Sequence, residues 1–173
     1  MKTASVKEPA TNLTRGTLTV CVLDDEPTLV EMLQAMVESF GYIAVGTSDP
    51  QEALEHIRAG RCRVVLSDLK MASMDGFAFL EQSLQRDPGI HVILMTGFYS
   101  LDSAIEAIKR GAYDYLCKPV DRARLQKSLD ELAELINQRR RIRELEGQLL
   151  ADLDFHGIVG KSPAMLEVFD LAP

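Results

Sequence analysis

Residues 18–41 read Leu-Thr-Val-Cys-Val-Leu-Asp-Asp-Glu-Pro-Thr-Leu-Val-Glu-Met-Leu-Gln-Ala-Met-Val-Glu-Ser-Phe-Gly. The short apolar run over 18–23 reads as a parallel strand, and two adjacent carboxylates, Asp24 and Asp25, close it. Leu29, Met32, Leu33, Met36, Val37 and Phe40 then recur at helical spacing until Gly41 stops the pattern. The stretch is one strand, one acidic turn and one amphipathic helix.

The same unit repeats along the chain. Apolar runs at 62–67, 91–95 and 112–116 read as further strands, and helical patterns fill 27–40, 50–59, 76–86 and 101–110. Pro50 suits a first helical position, with Ser48 and Asp49 as capping candidates before it. Ser100 caps the fourth helix, which carries Ala104, Ile105 and Ile108 on one face and ends at Gly111. Strands alternating with such helices form a doubly wound parallel sheet with helices on both faces. Five units between residue 18 and about 116 predict an α/β, flavodoxin-like (βα)5 fold with strand order 2-1-3-4-5.

The composition agrees with a packed domain. Of 173 residues 46% are hydrophobic, which excludes wholesale disorder, and a net charge of −7 argues against direct nucleic-acid binding by this chain. The three cysteines, Cys21, Cys62 and Cys117, have no metal-ligand spacing, and Cys21 and Cys62 fall in apolar runs as buried thiols of a reducing compartment would. Residues 1–16 are polar, read as a loose tail, and lack the apolar stretch of a signal peptide. No apolar run approaches the roughly 20 residues of a membrane span. The expectation is a cytoplasmic protein with no membrane partner.

In an open α/β sheet the carboxyl ends of the strands form the ligand-binding edge. That rule brings Asp24, Asp25, Asp68, Thr96 and Lys118 together, since each follows one of the apolar runs. Two unit charges about 4 Å apart repel by roughly 4 kcal/mol at an effective dielectric near 20, so the carboxylates call for a counter-charge. A hard divalent cation with oxygen ligands, Mg²⁺, meets that need and leaves waters free for a phosphate oxygen. Acids that merely cap helices would explain Asp24 or Asp25 singly, but not the pair together with Asp68 and Lys118. A carboxylate can also attack phosphorus to give an aspartyl phosphate. Asp68 is the candidate nucleophile, with Asp24 and Asp25 better placed as metal ligands. Lys118 would supply the second cation, and Thr96, followed by Gly97, can donate its hydroxyl to a phosphoryl oxygen. Pro119 after Lys118 suits a tight turn, with a cis bond among its options.

Beyond Pro119 the pattern changes. From 121 to about 153 helix formers dominate and Gly147 is the one helix breaker. Leu125 and Leu132 lie seven apart, as do Leu135, Ile142 and Leu149, while Leu129, Ile136 and Leu145 widen the stripe and Arg139 and Arg143 interrupt it. A helix of about 30 residues would run roughly 45 Å, longer than a small α/β domain needs. The expectation is a dimerising coiled coil over 122–153; the alternative is a single amphipathic helix packed on its own domain. The cluster Arg139-Arg140-Arg141 has acidic neighbours and reads as a solvated helix face.

The stretches 22–26, 67–76, 95–97 and 111–119 together resemble the receiver domain of bacterial two-component response regulators. The match covers 18 to about 120 in order and spacing, which places a receiver over 17–121. The resemblance implies that a sensor histidine kinase donates a phosphoryl group to Asp68. It implies Mg²⁺ held by Asp25, Asp68 and the Lys70 carbonyl, with Asp24 assisting. It also implies that Thr96 and Tyr115 couple phosphorylation to a shift of the fourth helix and fifth strand. Ala72 departs from the family, which commonly has Pro there; no reacting group is lost.

Residues 157–165, Gly-Ile-Val-Gly-Lys-Ser-Pro-Ala-Met, resemble the opening of the AAA+ ATPase domain of NtrC-type activators of σ54 RNA polymerase. They are not a phosphate-binding loop, because the glycine that motif needs is replaced by Phe155. The implied organisation is a regulatory fragment of a longer activator, with 154–173 starting the ATPase domain and the linker controlling its assembly. A phosphoacceptor of this kind is no enzyme toward external substrates. Two alternatives stand beside it. A haloacid-dehalogenase-type Mg²⁺ phosphohydrolase would want Asp-x-Asp after the first strand, where this chain has Asp24-Asp25-Glu26. A pseudo-receiver dimer module would not need Asp68, Thr96 and Lys118.

Overall fold

The computed structural model describes residues 18–98 and 100–155, with side chains to residue 149; the expected tail over 1–16 and the segment 156–173 lie outside the described residues. Strands β1 (Thr19–Leu23), β2 (Ile43–Thr47), β3 (Val64–Asp68), β4 (His91–Thr96) and β5 (Asp114–Cys117) alternate with helices α1 (Pro27–Ser39), α2 (Pro50–Arg58), α3 (Gly76–Arg86), α4 (Leu101–Lys109) and α5 (Arg122–Phe155). The strands form one sheet in the order β2-β1-β3-β4-β5, and every neighbouring pair is parallel. This is the expected 2-1-3-4-5 flavodoxin-like arrangement, followed by a long helix.

The central strands are mostly apolar and buried nearly throughout because helices cover both faces. On one face Cys21, Leu23, Val65, Val92 and Leu94 pack with Leu54 and Ile57 of α2, Phe79 and Leu80 of α3 and Ala107 of α4. The alternate strand residues Val20, Val22, Val64, Leu66, Ile93 and Met95 are buried on the other, where α1 contributes Val30, Leu33 and Val37. Caps fix the helix starts: Asp49 Oδ1 accepts from Gln51 N at 2.9 Å and Ser100 Oγ from Ser103 N at 3.1 Å. Of the apolar face expected of α4, Ala104 packs against the core but the two isoleucines do not. Ile105 and Ile108 are 44% and 52% exposed, and Ala107 is the buried residue.

Among the described residues the chain divides into two units, with the boundary after Glu134, inside α5. The first turns of α5 belong to the receiver. Leu125, Leu129 and Leu132 are each 0% exposed, Tyr42 Oη donates to Asp130 Oδ1, and Ser128 Oγ donates to Asp114 Oδ2 at 2.8 Å. This corrects the assignment of Leu125 and Leu132 to a dimer seam. Side chains already buried in the core of one chain have no surface left for a partner. In the second unit Leu135 is half-buried, whereas Ile142 and Leu149 are exposed.

Candidate functional site

Register carries the five chemical groups to one edge. Leu23 pairs with Ser67, Asp68 with Met95 and Thr96 with Cys117. Asp24 therefore leaves β1 beside the end of β3, and Asp68 and Thr96 prove to be the last residues of their strands. The ladder continues one step past each: Leu69 N donates to Met95 O at 2.8 Å, and Lys118 N donates to Thr96 O at 2.7 Å. The Lys118–Pro119 peptide is cis. Gly76 lets the start of α3 approach this edge. A Cβ there would stand 2.6 Å from the Asp68 carbonyl oxygen and 2.7 Å from Leu69 Cα, both rigid backbone.

Carboxylate oxygens of Asp24, Asp25 and Asp68 lie within 4.8 Å of one another, Asp24 and Asp68 buried and Asp25 exposed. Lys118 Nζ bridges the two buried ones, at 2.5 Å from Asp24 Oδ2 and 2.7 Å from Asp68 Oδ1. Burial works against the Lys118 charge, but the hydrogen bonds and attraction of Asp24 and Asp68 outweigh it and hold the ammonium pKa above the ordinary lysine value. Backbone amides serve further oxygens: Glu26 N donates to Asp24 Oδ1 at 3.1 Å, Lys70 N to Asp68 Oδ2 at 3.2 Å, and Ala72 N to Asp25 Oδ2 at 3.2 Å.

Three carboxylates against one ammonium leave the cluster with a net negative charge. An all-oxygen set of that sign suits a hard divalent cation, and Mg²⁺ fits it on donor chemistry. The exposed Asp25 marks the side open to solvent.

Thr96 is 2% exposed, and its Oγ1 accepts from Phe98 N at 3.1 Å and donates to Phe98 O at 3.3 Å. Tyr115 is 3% exposed, and its hydroxyl donates to Ser103 Oγ of α4 at 2.9 Å. Both expected switch residues thus point inward from the β4 and β5 ends. Sequence reasoning missed Ser103, because nothing in its spacing marks it as a tyrosine partner. It also missed the backbone role of Gly76, although a glycine opening a helix right after an acidic loop was a usable signal. Cys21 and Cys62 are buried as expected, and Cys117 is exposed. Among the described residues, no helix is long and apolar enough to cross a membrane.

A parallel 2-1-3-4-5 sheet with three acids and a lysine at its carboxyl edge is the build of a receiver, and the chain belongs to the response regulator receiver domain family, whose model matches residues 20–130. Among individual proteins it is similar to the transcriptional regulatory protein ZraR of Salmonella typhimurium (strain LT2), at 37% identity over 151 residues, 87% of this chain and 33% of that protein. It is also similar to the DNA-binding transcriptional regulator NtrC of Escherichia coli (strain K12), at 34% identity over 154 residues, 87% of this chain and 31% of that protein. The solved beryllofluoride-activated NtrC4 receiver domain dimer matches with TM-score 0.63 and 33% identity, over 67% of this chain and 96% of that one. The chain spans about a third of the length of the curated relatives it matches.

Proposed function

We propose that Asp68 is the phosphoacceptor of a two-component signalling protein and that a sensor histidine kinase is its donor. The observation that carries this reading is the Lys118 ammonium bridging Asp24 and Asp68 with Asp25 alongside. In the reaction an Asp68 carboxylate oxygen attacks phosphorus, the donor's P–N bond breaks, and an acyl phosphate forms on Asp68. Asp24, Asp25, Asp68 and the Lys70 carbonyl are the groups that would hold Mg²⁺. That ion, when bound, offsets the charge that builds on the phosphoryl oxygens. Lys118 stays beside Asp68 and supplies a cation to the incoming group. Thr96 Oγ1 turns its single proton from Phe98 O to a phosphoryl oxygen, and Tyr115 carries the change to α4 through Ser103. Such a switch needs two arrangements that the phosphoryl group favours unequally.

Likeness to ZraR and NtrC over nearly the whole chain supports a further part of the reading. The receiver and the later part of α5 control a downstream AAA+ domain that acts on σ54 RNA polymerase. The protein is then a cytoplasmic homodimer whose seam runs through Leu135, Ile142 and Leu149, and it turns over no external phosphomonoester. Incubation with acetyl phosphate and Mg²⁺ followed by intact-mass analysis tests the chemistry. The wild type gains one phosphoryl group and Asp68→Asn gains none; equal gain by both contradicts the assignment.

A further inference from the structure

Lys70 and Phe98 lie on different loops at the carboxyl edge of the sheet, each two residues beyond a reacting side chain, Asp68 and Thr96. Their side chains meet: Lys70 Nζ stands 4.9 Å from the centroid of the Phe98 ring. That separation is within the range of a cation–π contact. Phe98 is 77% exposed and Lys70 is exposed as well, so the pair does not serve the core.

Both ends of this contact are tied by backbone to the groups that change state. Lys70 N donates to Asp68 Oδ2, and the N–H and C=O of Phe98 both bond Thr96 Oγ1. A threonine hydroxyl has one proton to give. While Thr96 donates to Phe98 O it cannot donate to a phosphoryl oxygen, and the exchange frees the Phe98 carbonyl while Phe98 N can still donate to Thr96 Oγ1. The bond to be given up is long, at 3.3 Å, and so weak. A restraint on Phe98 from outside this pair of bonds therefore bears on which way the Thr96 proton points, and the Lys70 contact is such a restraint.

We propose that the Lys70–Phe98 contact is a strap between the loops after β3 and β4 that favours the resting arrangement of Thr96 and so weakens uptake of a phosphoryl group at Asp68. The proposal rests on the reading of Asp68 as phosphoacceptor. Lys70 and Phe98 are positioning residues in it; neither needs to touch the phosphoryl group through its side chain. An interaction made in one of two states shifts their equilibrium by its own worth, and an exposed cation–π contact is worth a factor of about two to five.

The test is a ¹⁹F NMR titration of the full chain, in the presence of Mg²⁺, with beryllofluoride standing in for the phosphoryl group. Phe98→Leu and Lys70→Met should each bind it about two- to fivefold more tightly than the wild type. The double variant should bind no more tightly than either single one, because both remove the same restraint. Lys70→Arg and Phe98→Tyr keep a cation and a ring and should return the wild-type affinity. Thermal unfolding midpoints of all variants should match the wild type, since neither side chain fills the core. Unchanged affinity in the single variants, multiplied effects in the double variant, or failure of Lys70→Arg and Phe98→Tyr to restore the wild-type value overturns the strap. These results leave the Asp68 reading intact if Asp68→Asn binds nothing. A wild type that binds no beryllofluoride, or an Asp68→Asn variant that binds it equally, overturns the Asp68 reading and the strap with it.

Discussion

Helix α5 follows two rules along its length. In the receiver unit Leu125, Leu129 and Leu132 are fully buried, while in the second unit Ile142, Leu145 and Leu149 are 55%, 59% and 63% exposed. The leucine-rich spacing is similar in both stretches. An apolar stripe specifies only that a helix wants a partner; the surroundings decide whether the partner is the same chain. In the first stretch the receiver unit itself buries the stripe, and Tyr42 and Asp114 hydrogen-bond the same turns of α5. In the second the stripe is open, and the seam we propose would close it with a second copy.

Truncation should break the two stretches differently. Leu129→Ala removes a side chain with no exposed surface and should cost about 2–5 kcal/mol in urea unfolding. Leu145→Ala, at a site 59% exposed, should change monomer stability by no more than about 0.5 kcal/mol. Equal losses would erase the distinction. Leu135→Asp combined with Ile142→Asp should leave receiver unfolding unchanged and yield a monomer in sedimentation equilibrium. A dimer that survives this pair of changes places the interface elsewhere.

A further expected effect concerns charge and is confined to alkaline pH. Lys118 has its pKa raised in the folded state, so on raising the pH the unfolded chain gives up this proton first. Its contribution to stability is complete below the ordinary lysine pKa and is lost as pH rises through the higher folded value, with a slope of at most about 1.4 kcal/mol per pH unit. Lys118→Met should remove that alkaline loss. Arg140→Met, which breaks an exposed ion pair with Glu144 in the second unit, should leave the alkaline profile as it was. Stability curves at pH 8 to 11 compare the two.

The sheet was legible in the sequence because its central strands are covered on both faces and therefore read as unbroken apolar runs. The site was legible because its groups stand at strand ends, where the strand order alone brings them together. Less of the helices could be read. The spacing that makes Ile105 and Ile108 look like core residues is satisfied equally by a face turned to solvent, and in α4 that is where they point. The break within α5 carries no local signal, since leucines recur on both sides of Glu134. Contacts between separate elements or loops, such as Tyr115 to Ser103 and Lys70 to Phe98, depend on three-dimensional placement that no spacing along the chain encodes.

On the proposed reading one carboxylate among three, that of Asp68, receives the phosphoryl group. Borohydride reduces an acyl phosphate to the alcohol, which converts a phosphorylated aspartate to homoserine and marks it permanently for peptide mass spectrometry. After loading with acetyl phosphate and Mg²⁺, homoserine at position 68, with Asp24 and Asp25 unchanged, is the predicted result. Homoserine at 24 or 25, or a loaded protein with no reduced aspartate, would contradict the account.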